Sequence, residues 1–251
     1  MTLKLPHSDE RHARCELAAC YRLFDFLGWT EMIFNHITVR VDSDGAEKPH
    51  YLINPFGLHY SEVTTSNLVK IDVDGNDIDR SGHPVNKAGF VIHGAIHQAR
   101  EDAHCIMHVH TTAGCAVACK ETGLRHDNFY SAMLFGEVAY HDYEGVTTSL
   151  DERPRLVNSL ADKQCLILRN HGLLVTGTSI AQAFQRLWTL QRACEIQLAS
   201  DAGLGPNRQI PSAILERVPT TRIGMNIDKE GNAQKMFDAM LRKAGIRLDA
   251  L

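Results

Sequence analysis

Two histidines, His108 and His110, close one apolar run, and a third, His171, follows another. The segment Ala103–Val109 reads A-H-C-I-M-H-V, a short hydrophobic stretch that predicts a buried β-strand. Side chains two apart on a strand share a face, roughly 6.5 Å apart along the chain. Imidazoles at 108 and 110 can therefore converge on one ion. His171 sits in L-I-L-R-N-H-G-L-L-V, just past the run Cys165–Leu168. H-x-H on one strand and a lone His on a second give a three-nitrogen site with an open position for substrate. Three imidazoles suit Zn, Fe, Mn and Co alike. An H-x-H pair among 14 histidines is by itself more often structural, and a His-Gly step can be a plain turn. The order of the flanking segments has to decide.

Composition sets the frame for those residues. The chain has 251 residues, 44% hydrophobic and 22% charged, the proportions of a globular protein able to bury one sizeable core. A formal net charge of -4 advertises no basic surface for nucleic acid or anionic membrane. The start, M-T-L-K-L-P-H-S-D-E-R-H, has no apolar signal region, and no apolar run approaches the ~20 residues that span a bilayer. Seven cysteines without paired spacing fit buried thiols in a reducing compartment. Cys105 is odd-spaced from His108 and is expected in the core on the opposite face. The expectation is a cytoplasmic protein.

The elements that must position the histidines alternate along the chain. Ser8 is placed to cap a helix running to Leu27, with Gly28 as its stop and Leu17, Tyr21, Phe24 and Leu27 on one face. Strands are predicted at Ile37–Val41, Tyr51–Ile53, Lys70–Val73, Ala103–Val109, Val138–Tyr140, Leu166–Leu168 and Leu173–Val175. Helices are predicted at Gly89–Arg100, Thr111–Cys119, Asp151–Leu160 and Ser179–Asp201. Beyond Gly203 the chain loosens, then ends in a helix near Asn232–Ala244. Strands come both adjacent and separated by helices, which reads as a mixed α/β sandwich.

The segments W-T-E-M-I-F-N-H-I-T-V-R-V (Trp29–Val41), L-I-N-P-F-G-L (Leu52–Leu58) and G-F-V-I-H-G-A-I-H-Q-A-R (Gly89–Arg100) occur in that order. H-V-H (His108–His110), Y-H-D-Y-E-G (Tyr140–Gly145) and L-R-N-H-G-L (Leu168–Leu173) follow them. Over roughly residues 8 to 203 the chain resembles the class II aldolase and adducin head-domain family. The resemblance implies a three-layer α/β/α sandwich around a central, mostly antiparallel sheet. Residues 1–205 would form that domain, and 206–251 a C-terminal extension packing on it or on a neighbouring subunit. It also implies a homo-oligomer, a tetramer first, with sites for a small-molecule substrate at subunit interfaces. His108, His110 and His171 fall on the family's metal-binding histidines, usually of Zn²⁺. In aldolase members the metal grips two enediolate oxygens, a Lewis-acid stabilisation of developing negative charge.

Departures from the family pattern narrow the chemistry. The sugar-phosphate aldolases carry a catalytic glutamate 19 residues before the first metal histidine, where this chain has Gly89. Their phosphate-binding Gly-Asn step becomes Phe34-Asn35, and their Ser pair becomes Lys87 and Ala88. Phe34-Asn35-His36 is similar to the adducin-type branch. Tyr130 falls on the tyrosine that protonates the leaving fragment, and can equally be an aromatic core residue beside Phe129. His93, one helical turn after Gly89, can replace the glutamate or simply pack on the sheet; His97 is expected to be exposed or interfacial. His141 and Asp142 can orient a ligand imidazole or form a turn. Asn35 and His36 are the candidate substrate contacts.

Three functions remain open at this stage. One is a divalent-metal lyase, a decarboxylase or aldolase acting on a non-phosphorylated oxo or hydroxy acid. Decarboxylation needs no base to remove a hydroxyl proton, so it tolerates the loss of the glutamate better. The others are a non-haem Fe(II) oxygenase on the same three histidines and a non-enzymatic, adducin-like interaction module.

Overall fold

The structure, a computed structural model, describes residues 10–43, 45–146, 149–224 and 230–251. Helix α1 (Glu10–Leu27) ends where Gly28 takes a φ of 71°, the left-handed stop expected of that glycine. The expected Ser8 cap lies outside the described residues.

Among the described residues seven strands make one sheet: β1 (His36–Val41), β2 (His50–Ile53), β3 (Val69–Ile71), β4 (Cys105–Val109), β5 (Val138–His141), β6 (Cys165–Leu168) and β7 (Gly172–Gly177). Their order is β3-β2-β1-β4-β7-β6-β5. Every neighbouring pair is antiparallel except β5–β6. The expected mostly antiparallel α/β/α sandwich is the fold observed.

The two faces follow from strand alternation. On β4, Cys105, Met107 and Val109 join a large core beneath α1 and α6 (Ile180–Asp201). Ile106 faces the other way, into a second core under α2 (Lys87–Ala99) and α5 (Arg153–Leu160). Cys105 is therefore core, on the face opposite His108. The long α6 starts where Ser179 accepts a hydrogen bond from the backbone N–H of Gln182. Thr111 caps α3 (Thr112–Ala118) in the same way, immediately after the histidine pair.

Three features differ from the sequence expectation. A single-turn helix, α4 (Phe129–Met133), is held by Asn128 and is too short to show periodicity in sequence. Helix α5 is preceded by a 3₁₀ turn at Leu150–Glu152, and Pro154 sits in its first turn. The loosened segment forms two short helices, α7 (Ser212–Leu215) and α8 (Val218–Gly224). The last long helix, α9 (Glu230–Ala244), lays Ala233, Phe237 and Leu241 into the main core, with the Phe237 and Phe184 ring centroids 5.5 Å apart. Burying side chains such as Phe237 and Leu241 is worth about 1.5–3 kcal/mol each. Among the described residues no helix is long and apolar enough to cross a membrane.

Candidate metal centre

His108 is the penultimate residue of β4, on the α2 side of the sheet, and His110 follows one residue beyond the strand. His171 arrives from the β6–β7 connection. There Asn170 takes a φ of 57°, a conformation asparagine tolerates, and its N–H is held by Ala118 O. The residue after His171 has to be glycine, because a Cβ on Gly172 would collide with Val109 O. This close backbone approach sets the His171 ring beside His110.

The ligand atoms of His108, His110 and His171 all lie within 4.8 Å of one another. His110 Nε2 is 2.7 Å from His108 Nε2 and 2.9 Å from His171 Nε2. The Nδ1 of His108 lies 2.9 Å from Leu173 O. A carbonyl only accepts, so Nδ1 carries the proton and Nε2 is left bare for the cluster. Burial pushes the His108 imidazole well below its ordinary pKa, and the neighbouring histidines push the same way. Burial also lowers His110, and takes His171 down to about 4 with His110 adding to the shift. Three neutral imidazole nitrogens meeting at one point are a donor set that fits Zn²⁺ or another divalent transition ion.

The cluster is held from behind by the loop before β1. Asn35 is buried, and its Oδ1 accepts from His110 N at 2.9 Å. Its amide protons go to Trp29 O at 2.9 Å and to Glu31 Oε2 at 2.7 Å. Both donors are engaged within the loop, so Asn35 supports His110 where a substrate contact was expected. Glu31 was not singled out from the sequence. Its backbone has a φ of 37° and that of Met32 a φ of 59°, adjacent non-glycine residues in the left-handed region. Burial raises the Glu31 carboxyl pKa, with the Asn35 hydrogen bond opposing. Sequence gives no sign of such a backbone.

His36 lies directly opposite His108 in the β1–β4 register, and their ring centroids are 5.0 Å apart. Its Nδ1 is 3.1 Å from His93 Nε2. Thus His93 reaches the cluster only through His36. Where the family's glutamate would stand, a Cβ on Gly89 would lie 3.4 Å from the His36 ring and 3.0 Å from Ile53 Cδ1. The His36 and Ile53 side chains occupy that place.

His97 is not exposed: it is 1% accessible, with Nδ1 2.9 Å from Ala103 O and Nε2 2.8 Å from Thr38 Oγ1. Thr38 and His97 were missed as members of the site. Their signal was spacing, His36 and Thr38 two apart on a strand and His93 and His97 four apart on a helix. His141 does not hold a cluster imidazole; it engages Ser159 Oγ at 2.9 Å and Glu152 Oε1 at 3.3 Å. Tyr130 is not brought among the three histidines either. It packs edge-on against Trp188, centroids 5.5 Å apart, in an apolar groove of about 580 Å³ between α4, α6 and α9.

The family model described as class II aldolase and adducin N-terminal domain matches residues 15–198. Alpha-adducin of Rattus norvegicus is 48% identical over 199 residues, covering 78% of this chain and 26% of the adducin. The crystal structure of an aldolase II superfamily protein from Pseudomonas syringae superposes with a TM-score of 0.86 at 40% identity, covering 96% of this chain and 94% of that one. An L-fuculose 1-phosphate aldolase from Glaciozyma antarctica superposes with a TM-score of 0.81 at 27% identity, covering 97% and 92%.

Proposed function

Since the chain belongs to the class II aldolase and adducin N-terminal domain family, we propose that it is a divalent-metal-dependent lyase. Its substrate would be a non-phosphorylated oxo or hydroxy acid, cleaved at a C–C bond by decarboxylation or aldol chemistry. One observation carries this reading: three imidazoles converge, His108 buried and already fixed as the Nδ1–H tautomer, His110 and His171 half-buried. His108, His110 and His171 would hold the ion, zinc first. When bound, the ion supplies positive charge to two substrate oxygens as negative charge develops on them. Low histidine pKa values keep the ligand nitrogens free of protons at neutral pH. Asn35 fixes the His110 backbone, so that ligand does not have to be ordered when substrate arrives.

Phe34, Lys87 and Ala88 at the family's phosphate-donor positions support a non-phosphorylated substrate. The one family donor retained, Asn35, has both amide protons engaged within its own loop. His36 occupies the space beside Gly89, which supports a reaction that proceeds without the aldolase glutamate. Tyr130 is proposed as the proton donor across a subunit interface in a homo-oligomer, since its groove lies apart from its own chain's cluster.

The test is elemental analysis of protein purified under argon without chelator, followed by assay of 2-oxo and 2-hydroxy acids for CO₂ or aldehyde release. One equivalent of zinc, manganese or cobalt with anaerobic turnover is the expected result. His108→Ala and His171→Ala should lose both metal and turnover. Iron with oxygen uptake would replace the lyase by an oxygenase. Protein that takes up no metal on reconstitution would leave an adducin-like module, the alternative raised by the 48% identity to alpha-adducin.

A further inference from the structure

A continuous buried chain of hydrogen bonds runs from a backbone carbonyl to the edge of the histidine cluster. It passes from Ala103 O to His97, Thr38, His93 and His36 through contacts of 2.9, 2.8, 2.8 and 3.1 Å. Its direction is fixed at one end, because a carbonyl oxygen can only accept. His97 therefore donates from Nδ1, and as a neutral imidazole it has a bare Nε2. Thr38 has one hydroxyl proton, which goes to that Nε2. The Thr38 oxygen must then accept from His93 Nδ1–H, which leaves His93 Nε2 bare. His36 donates into it from Nδ1, so the nitrogen left bare on His36 is Nε2. Proton positions here follow from the connectivity of the network. All four side chains are fully or almost fully buried, 0–2% accessible, and burial holds the His93 and His97 imidazoles neutral.

We propose that Thr38 and His97 are positioning residues that lock His36 in the Nδ1–H tautomer, so that a bare Nε2 stands beside the cluster as a hydrogen-bond acceptor. A site with that acceptor selects a ligand that brings a donor, a hydroxyl on the acid. A ligand offering only carbonyl and carboxylate oxygens would set acceptor against acceptor. The lock stands whatever the metal does; only the identity of the ligand as an acid rests on the proposed lyase function. Breaking the chain at Thr38 removes the anchor for both rings beyond it.

The lock is tested on full-length, zinc-loaded protein labelled with ¹⁵N-histidine, and again after chelation, by two-bond ¹H–¹⁵N correlation spectra that report which ring nitrogen carries the proton. His36, His93 and His97 should be protonated on Nδ1 and bare on Nε2. Thr38→Val should release His93 and His36 from a single tautomer, and Thr38→Ser should restore it. A wild-type His36 protonated on Nε2, or a His36 still locked in Thr38→Val, overturns the proposal. The wild-type spectrum decides alone if Thr38→Val does not fold. The spectra need no turnover, so a failure of the lyase reading leaves this test intact. For the ligand, zinc-loaded protein should bind lactate about tenfold more tightly than pyruvate, the scale of one net hydrogen bond. Thr38→Val should erase that ratio. A wild-type ratio near one, or binding of neither, overturns the ligand half.

Discussion

Lowering the pH from 7.5 to 5.5 should destabilise the metal-free protein well before most carboxylates are protonated. Burial takes His171 and His104 down to about 4 from an ordinary 6.5. Between those values the unfolded chain binds more protons than the folded one, so stability falls as pH falls. The loss starts near pH 6.5 and continues to about 4. For a group displaced that far, the change from pH 7.5 to 5.5 is about 1.3 kcal/mol, or about 2.7 kcal/mol for the pair. His36, His93, His97 and His108 are lowered by the same cause and add in the same direction. Asp102 and Asp201, held down to about 2 by Arg100 and Arg125, titrate below this window. Glu31, raised by burial, opposes the trend as a single group. The assay is urea unfolding of chelator-treated protein followed by fluorescence of Trp29 and Trp188. With a urea slope of about 2–3 kcal/mol per molar, the midpoint should drop by about 1 M or more. A midpoint constant or rising between pH 7.5 and 5.5 would refute the reading of these histidines as buried and neutral.

Other outcomes follow from single contacts. Gly172→Ala pushes a Cβ against Val109 O, so it should cost about 2–4 kcal/mol in thermal or urea unfolding and abolish metal uptake with all three histidines present. Gly89→Glu should yield no aldol cleavage of sugar phosphates and should lower stability by about 1–3 kcal/mol, because His36 and Ile53 stand in the way; an active aldolase would show that the pocket can reopen. Zinc at a hundredfold excess over its Kd should stabilise the protein by about 2.7 kcal/mol in calorimetry. That gain should vanish in His171→Ala, and its persistence would move the ion elsewhere. Phe237→Ala should cost about 3–5 kcal/mol in urea unfolding, and a loss under 1 kcal/mol would mean that α9 is not part of the core.

Much of this molecule could be read from local patterns. Hydrophobic alternation and capping residues are properties of a few neighbouring side chains, so the strands, the Ser179 start of α6 and the Gly28 stop of α1 were visible in the chain itself. So was the pairing of His108 with His110, since a period of two puts both on one side of a strand. The short helices α4, α7 and α8 were invisible because one or two turns hold too little periodicity.

What the residue types determined, then, was which chemistry the chain could carry: three imidazoles on two strand ends, and neither a glutamate at 89 nor a set of phosphate donors. Which groups meet was decided only by the tertiary structure. The register of β1 against β4 puts His36 opposite His108, and the packing of α2 on the sheet turns His93 and His97 inward onto Thr38. Asn35 looked like a substrate donor until the fold gave its amide to Trp29 and Glu31 and its oxygen to the His110 backbone. The reason is physical: a polar side chain shut away from water takes whatever partner packing brings within 3 Å, and sequence spacing does not encode that partner.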